Sequence, residues 1–515
     1  MNNTGFANNG YSKSAIYWQF ILIVLLISVS LYNLFSPPIT PVITRQTQTA
    51  MLTENFAKEG FSLKGLYLNL RGNGRVVVAN EFPIYNFITG LFFLFFKNTV
   101  FWGKLISLTA ACISLLCLFR LIRKLFGEKI AIYSTFFFIL SPIGILMNAS
   151  VQPDSLGLMF LLIALVILLD WKEKQRTSTL LLFSITLLLS GLSKFPLIVP
   201  YLPVIAAAFL YHKGKLRLPR LKEIIIILAF FVLPFIAWYL YRGHLTDPAY
   251  SRGEFAYFFI GDLRRFLSPD YYIKPFFSIA ALVWCGMGLL FFISGLKKLS
   301  LLEALLLIGI PFYFVIVPTV RDQYYYMYPT IPIFALLMGR GFHNLTEYCK
   351  RRNSLPLIYM CTFIFFLGFI IAVTYVMRQD KISWEAAKAI KRFSLPTDLV
   401  ATITIHDRGQ GIGLFNPSIL YLSNRKGWSI PVTSTKLKDT ANQLEMIHKN
   451  GASLLVITWY TPDLELWTSK FLPLNLHRNP GVDGKAFFEG LQKKYLVIYK
   501  SNNYALLDLN NNRKR

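Results

Sequence analysis

Lys and Arg in this chain gather in alternate gaps between long apolar runs, and few folds satisfy that constraint. Hydrophobic runs of membrane-spanning length recur between residues 16 and 377, with a basic cluster in every second gap. The formal net charge is +27, yet only 15% of the 515 residues are charged and 54% are hydrophobic. A soluble basic protein would spread its cations over its surface. Here they collect at helix ends, as expected where they hold loops on the cytoplasmic side of a membrane. This alternation argues against a nucleic-acid partner. The five cysteines lie in or beside apolar runs, so no disulfide framework is implied. The first run lacks a small-residue cleavage site and reads as a retained anchor.

A bilayer core takes about 20 apolar residues per helix. Spans are expected at residues 16–35, 100–121, 130–147, 155–169, 180–192, 197–210, 224–241, 275–295, 301–317, 325–339 and 355–377. Between the first two lie an amphipathic helix at 47–58 and a short apolar helix at 83–96, both expected at the membrane surface. Parity supports that choice. If 83–96 crossed the bilayer, Arg120, Arg123, Lys124 and Lys129 would emerge outside. If it lies flat, that cluster and every later one share the inner side with the N-terminal tail. The expected fold is a polytopic α-helical membrane protein of about eleven transmembrane helices with a C-terminal soluble α/β domain. Residues 1–377 form the membrane domain, 36–98 its first outer loop, and 378–515 the outer domain. In the last segment, strand-length runs at 399–405, 454–458 and 495–499 alternate with helical stretches at 384–393 and 437–449. The glycines of Arg408-Gly409-Gln410-Gly411-Ile412-Gly413 do not fit G-x-G-x-x-G spacing, so no nucleotide cofactor is expected.

This topology collects a set of polar groups on the outer side: Arg45, Gln46, Glu81, Gln152, Asp154, Lys194, Arg321, Tyr324 and Tyr325. An ionisable group at membrane depth costs roughly 2.5–3.5 kcal/mol on insertion scales. Asp154 and Lys194, flanked by apolar sequence, are therefore stronger candidates than loop charges. Each has an ordinary alternative. Asp154, between Pro153 and Ser155, has the context of a helix cap, Lys194 could snorkel, and Glu81 could cap or be solvated. As a set, these groups suit transfer from a lipid phosphate. Arg and Lys bind the phosphate and stabilise its charge as it leaves. A carboxylate takes the proton of an acceptor hydroxyl, and Tyr rings line the path at headgroup level. No metal-ligand spacing stands out, since the six His residues form no H-x-x-x-H pair.

In these features the chain resembles the GT-C membrane glycosyltransferases, particularly bacterial protein O-mannosyltransferases and the lipid A aminoarabinose transferase. Asp154 in Pro153-Asp154-Ser155-Leu156 matches the Asp that begins an outer helix in that family. Ser193-Lys194-Phe195-Pro196 with Leu202-Pro203 matches its Lys-Gly-Pro-like turn, and Tyr324-Tyr325-Tyr326 with Pro329 its late Tyr-Tyr. Two positions depart. The family's acidic pair is replaced by Arg45-Gln46, so the usual base is absent there. The Lys of its Glu-Lys-Pro-Pro-like segment is Phe82 in Glu81-Phe82-Pro83.

The resemblance implies a polyprenyl-phosphate sugar donor, inversion at the anomeric carbon, and a hydroxyl acceptor on a glycan, lipid or protein. It implies a bacterial cytoplasmic membrane, with the N-terminus cytoplasmic and the C-terminal domain periplasmic. Within it, Glu81 or Asp154 would orient or deprotonate the acceptor. Arg45, Lys194 and Arg321 would hold the donor phosphate, and Gln46, Gln152, Tyr324 and Tyr325 would line the pocket. Two other readings stay open. A transporter or flippase of lipid-linked sugars would show paired halves, which the sequence lacks. A non-catalytic assembly protein would accommodate the two departures.

Overall fold

Proline and glycine placement, more than hydropathy, decides how the apolar runs are cut into helices. The computed structural model describes residues 13–212, 215–248, 268–317, 320, 323–405, 416–431, 437–459 and 484–511. The chain opens with α1 (Lys13–Phe35) and α2 (Ile43–Lys58), followed by a hairpin of β1 (Tyr67–Gly72) and β2 (Gly74–Val77) and by α3 (Ile84–Phe96). Next come α4 (Thr99–Phe126), α5 (Glu128–Ile139), α6 (Pro142–Asn148), α7 (Asp154–Lys174), α8 (Thr177–Lys194) and α9 (Leu202–Leu210). A small hairpin of β3 (Tyr211–His212) and β4 (Lys215–Leu216) leads to α10 (Leu221–Ile227) and α11 (Leu233–Leu245). The remaining bundle helices are α12 (Asp270–Leu282), α13 (Gly288–Gly295), α14 (Leu301–Ile316), α15 (Ile331–Arg351) and α16 (Leu355–Val376). The C-terminal segment contains α17 (Lys381–Phe393), β5 (Leu399–Ile405), α18 (Ser418–Ser423), β6 (Gly427–Pro431), α19 (Leu437–Lys449), β7 (Ala452–Trp459), α20 (Gly484–Gln492), β8 (Leu496–Lys500) and β9 (Tyr504–Asp508).

This is a multi-pass membrane protein, and fewer full-length apolar helices stand among its described residues than the eleven expected spans. Among the described residues six helices are long and apolar enough to cross a bilayer, or seven if one bent pair counts as a span. The run expected at 130–147 is that pair: α5 and α6 meet at a 70° bend. The cause is Pro142, which brings no N–H and starts a new helix capped by Ser141 Oγ on Gly144 N at 3.3 Å. The run at 275–295 is likewise divided, with Cys285 and Gly286 at positive φ between α12 and α13. The run at 197–210 becomes short turns around Pro196 and Pro200 and then α9, whose nine residues reach only about 14 Å.

Two features position the site. First, Lys104 of α4 is buried and donates to the carbonyls of Asn33 and Ser36 at 2.6 and 2.8 Å. An ammonium at a helix C-terminus satisfies the orphan carbonyls there, so this contact closes α1 and sets where α2 begins. Second, α3 is too short to cross and is held to α2, where Asn86 Nδ2 donates to Thr53 Oγ1 at 2.8 Å. Its Leu91, Phe92, Leu94, Phe95 and Phe96 are exposed, as on a helix lying against lipid.

The strands form a seven-stranded sheet in the order β2-β1-β6-β5-β7-β9-β8. Strands β6, β5 and β7 are parallel, and the outer pairings are antiparallel. The first-loop hairpin thus extends a sheet built from the C-terminal segment, pairing Arg71 with Trp428 and Gly72 with Gly427. Gly72 has φ +60°, and the Trp428 ring lies where its side chain would be, so only glycine fits. The first polar loop and the C-terminal segment are thus hydrogen-bonded to each other in one sheet.

Candidate active site

Antiparallel α7 and α8 bring the start of one beside the end of the other. Asp154 is the first residue of α7 and Lys194 the last of α8. Each helix dipole favours the charge placed there, negative at an N-terminus and positive at a C-terminus. Pro196 stops α8 two residues past Lys194. Glu81 arrives from the first loop, where Phe82 N–H donates to the Leu192 carbonyl of α8 at 2.9 Å. The Phe82 ring packs edge-on against Trp238 of α11 with centroids 4.9 Å apart. The residue that replaces the expected lysine is therefore an anchor for the segment carrying Glu81. Arg45 comes from the first turn of α2.

These four side chains form one ion cluster. Arg45 donates to Glu81 Oε1 at 2.9 Å, and Lys194 Nζ donates to the same oxygen at 3.0 Å. Lys194 Nζ also lies 3.7 Å from Asp154 Oδ2. The side chains of Lys194 and Asp154 are only 5% and 6% exposed, that of Glu81 24%. Burial alone would raise the Glu81 carboxyl, but Lys194, Arg45 and Arg242 outweigh it and hold it down at about 2. Neither α3 nor α7 has a side-chain cap, and Lys194 is buried and paired instead of reaching toward water.

Asp154 Oδ2 accepts no hydrogen bond within the described residues. It is an acceptor with unused capacity, 3.7 Å from a buried ammonium. Both amide atoms of Gln152 are also buried without a hydrogen-bond partner among the described residues. Gln46 has a structural task. Its Nε2 donates to Thr40 Oγ1 at 2.8 Å and its Oε1 accepts from Val151 N at 3.2 Å, tying α2 to the turn before α7. The Tyr325 hydroxyl donates to Gln323 Oε1 and lies within electrostatic range of Arg45, Lys194 and Asp154. Tyr324 turns its ring to Tyr375, with centroids 6.4 Å apart. Arg321 and the 408–413 glycine stretch lie outside the described residues. Among the described residues no three His, Cys, Asp or Glu side chains converge.

Two contributors were missed by the sequence reading. Arg242, in the last turn of α11, donates to the Asn80 carbonyl and adds a third positive charge beside Glu81. Tyr326, rather than its neighbours, presents its ring to Lys194 Nζ at 5.5 Å. Its place in a Tyr-Tyr-Tyr run was visible, but which of the three faces the cluster depends on the phase of the 3-10 turn Tyr324–Thr330.

The fold is that of solved membrane glycosyltransferases with which the chain shares 10–11% identity. The sequence profile of the dolichyl-phosphate-mannose-protein mannosyltransferase family matches residues 80–238, which include Glu81, Asp154 and Lys194. The crystal structure of ArnT from Cupriavidus metallidurans bound to undecaprenyl phosphate matches 97% of this chain and 98% of its own, with TM-score 0.57 and 11% identity. The oligosaccharyltransferase of Archaeoglobus fulgidus in complex with Zn and sulfate matches 86% of this chain and 68% of its own, with TM-score 0.51 and 11% identity. The same enzyme tethered to an acceptor peptide with the NVT sequon matches 96% and 73%, with TM-score 0.53 and 10% identity. At such identities the likeness is one of fold. No curated protein matches the chain by sequence.

Proposed function

We propose that this protein transfers a sugar from a polyprenyl-phosphate donor to a hydroxyl acceptor at the outer face of a bacterial cytoplasmic membrane. The observation that carries the reading is the buried Lys194 bridging Glu81 and Asp154, with Arg45 on the same Glu81 oxygen. It is supported by a fold shared with a transferase solved with undecaprenyl phosphate.

The donor phosphate takes the place of the Glu81 carboxylate on Arg45 and Lys194. Guanidinium and ammonium suit that exchange, since each offers several donors to an oxyanion. The acceptor oxygen attacks the anomeric carbon from the face opposite the phosphate. The bond between that carbon and the phosphate oxygen breaks, and its electron pair leaves on the phosphate. Lys194 and Arg45 stabilise this growing charge. The acceptor proton passes to Asp154, whose Oδ2 has an unused lone pair. Glu81, held ionised with a pKa of about 2, is too weak a base for that step in the resting site. It keeps the two cations in place until the donor arrives.

The test is release of polyprenyl phosphate from purified polyprenyl-phosphate sugars by the full chain in vesicles. Lys194→Gln loses about 100-fold or more in turnover, the usual consequence of removing one transition-state donor. Asp154→Asn falls by a similar factor, within the ~10²–10⁴ range for general-base loss. Unchanged turnover in Asp154→Asn would dismiss its role as base. Wild-type protein that moves intact donor across the vesicle without releasing the sugar would dismiss transfer altogether.

A further inference from the structure

A second feature lies at the opposite end of the bundle. An apolar, partly open cavity of about 420 Å³ is lined by α4, α7, α9, α14 and α15. Its walls include Phe126, the last residue of α4, Lys172 in the last turn of α7, and Leu301, the first residue of α14. These ends carry the basic loops. Lys172 stands 18 residues along α7 from Asp154, about 27 Å at 1.5 Å per residue. The cavity is therefore remote from the ion cluster.

The polar groups in its wall are few. The Tyr201 hydroxyl is committed to the Pro329 carbonyl at 2.9 Å. Lys172 makes no ion pair among the described residues, although its neighbours do. Lys124 meets Asp170 and Glu173 at 3.2 and 2.9 Å, and Arg217 meets Glu223 at 3.1 Å. The charge of Arg217 also acts on Lys172, and its guanidinium lies over the Trp171 ring at 5.7 Å. Two cations, of which only Arg217 has a carboxylate partner among the described residues, thus lie near a cavity lined by Leu, Ile and Ala side chains. A hydrocarbon chain supplies the contacts that such a lining would otherwise lack. An acid group at the chain's head supplies the charge that Lys172 lacks.

We infer that this cavity holds one acyl chain of an anionic phospholipid from the leaflet facing the basic loops, with its phosphate on Lys172 and Arg217. The donor's prenyl chain fits less well. Its phosphate is needed at the far end of α7, so it brings no anion to Lys172. An occupant here braces α9 against α15 next to the Tyr201–Pro329 contact, which holds the Tyr324–Thr330 turn. Only the choice of a phospholipid over the donor's prenyl chain rests on the transferase reading.

The full chain is reconstituted in phosphatidylcholine vesicles with and without phosphatidylglycerol and re-extracted in mild detergent. Retained lipid is then weighed on the intact protein by mass spectrometry. Wild-type protein retains phosphatidylglycerol in preference to phosphatidylcholine. Lys172→Gln loses about fivefold of that preference, the share of one basic residue near an anionic surface. Leu305→Trp, which fills the cavity from α14, abolishes retention while the protein elutes as before. If that variant fails to fold, Lys172→Gln alone decides. Equal retention of the two lipids by wild type would overturn the inference. So would an unchanged preference in Lys172→Gln, or a retained polyprenyl phosphate that Leu305→Trp displaces.

Discussion

Lys194 is a buried cation, and its environment decides what the neighbouring carboxylates can do. A buried charge survives only when paired, and here Glu81 and Asp154 flank it at 3.0 and 3.7 Å. Glu81 in turn sets an acid limit on the fold. Its folded pKa of about 2 lies below the ordinary 4.5, so the unfolded chain binds its proton first as pH falls. The stabilisation, up to about 3 kcal/mol, is complete above pH 4.5 and is lost as pH drops toward 2. Thermal unfolding of wild type should therefore shift down across that window. Glu81→Gln should be less stable at neutral pH and show a flatter acid limb, and parallel acid limbs in the two proteins would count against the cluster as drawn. Glu81, Asp154 and Lys194 were legible in sequence because each is ionisable in an apolar context. Arg242 was not, because a cation ending a span reads as snorkelling, and its bond to the Asn80 carbonyl joins residues 162 apart in the chain.

At the scale of elements, α2 is the hinge between site and sheet. It carries Arg45 at one end, and its far half is fastened from both sides through Glu54. Glu54 Oε1 accepts from Tyr421 of the C-terminal segment at 2.9 Å and from Thr99 at the start of α4 at 3.0 Å. Burial together with the Glu54 charge holds the Tyr421 phenol well above its ordinary range, so it remains a donor. Glu54→Ala leaves two hydroxyls without their acceptor and should cost about 2 kcal/mol, within the range for bonds to a charged group. Glu54→Gln, which keeps an acceptor, should cost less. Unfolding in detergent measures both, and equal midpoints for Glu54→Ala and wild type would rule the contact out as a fastener. The amphipathic stretch at 47–58 announced α2 itself, which runs Ile43–Lys58. Tyr421 as its partner could not be read, because one tyrosine in a mixed segment has no periodicity to interpret.

The whole molecule is joined across its ends. The β1–β2 hairpin pairs with β6, so the first loop and the C-terminal segment are continuous through one sheet. Opposed residues in an antiparallel pair lie about 4.5–5.5 Å apart at Cα, within disulfide reach. Arg71→Cys combined with Trp428→Cys should cross-link on mild oxidation of the full chain in membranes, read as a linked peptide by mass spectrometry. Neither single variant should yield it. No linked peptide after oxidation would separate the loop from the sheet. Strands at 399–405 and helices at 437–449 stood out by their runs, and both elements have those bounds. The hairpin did not, since Tyr67–Val77 is short and mixed in character, with its partner some 350 residues away.

Taken by itself, the sequence settled what local chemistry can settle. Long apolar runs must be helical in lipid because no water is present to satisfy their backbone. Alternate basic gaps favour one side of the membrane, and isolated charges at span ends mark where the burial cost must be met. Tertiary structure decided the rest. Proline and glycine breaks turned several runs into half-spans, and a 70° bend replaced one continuous crossing. Which oxygen receives two cations, and which carboxylate keeps a lone pair free, depends on elements far apart in the chain meeting within 3 to 4 Å. Residue spacing along a chain carries no such information, because these distances are set by packing between elements rather than within them.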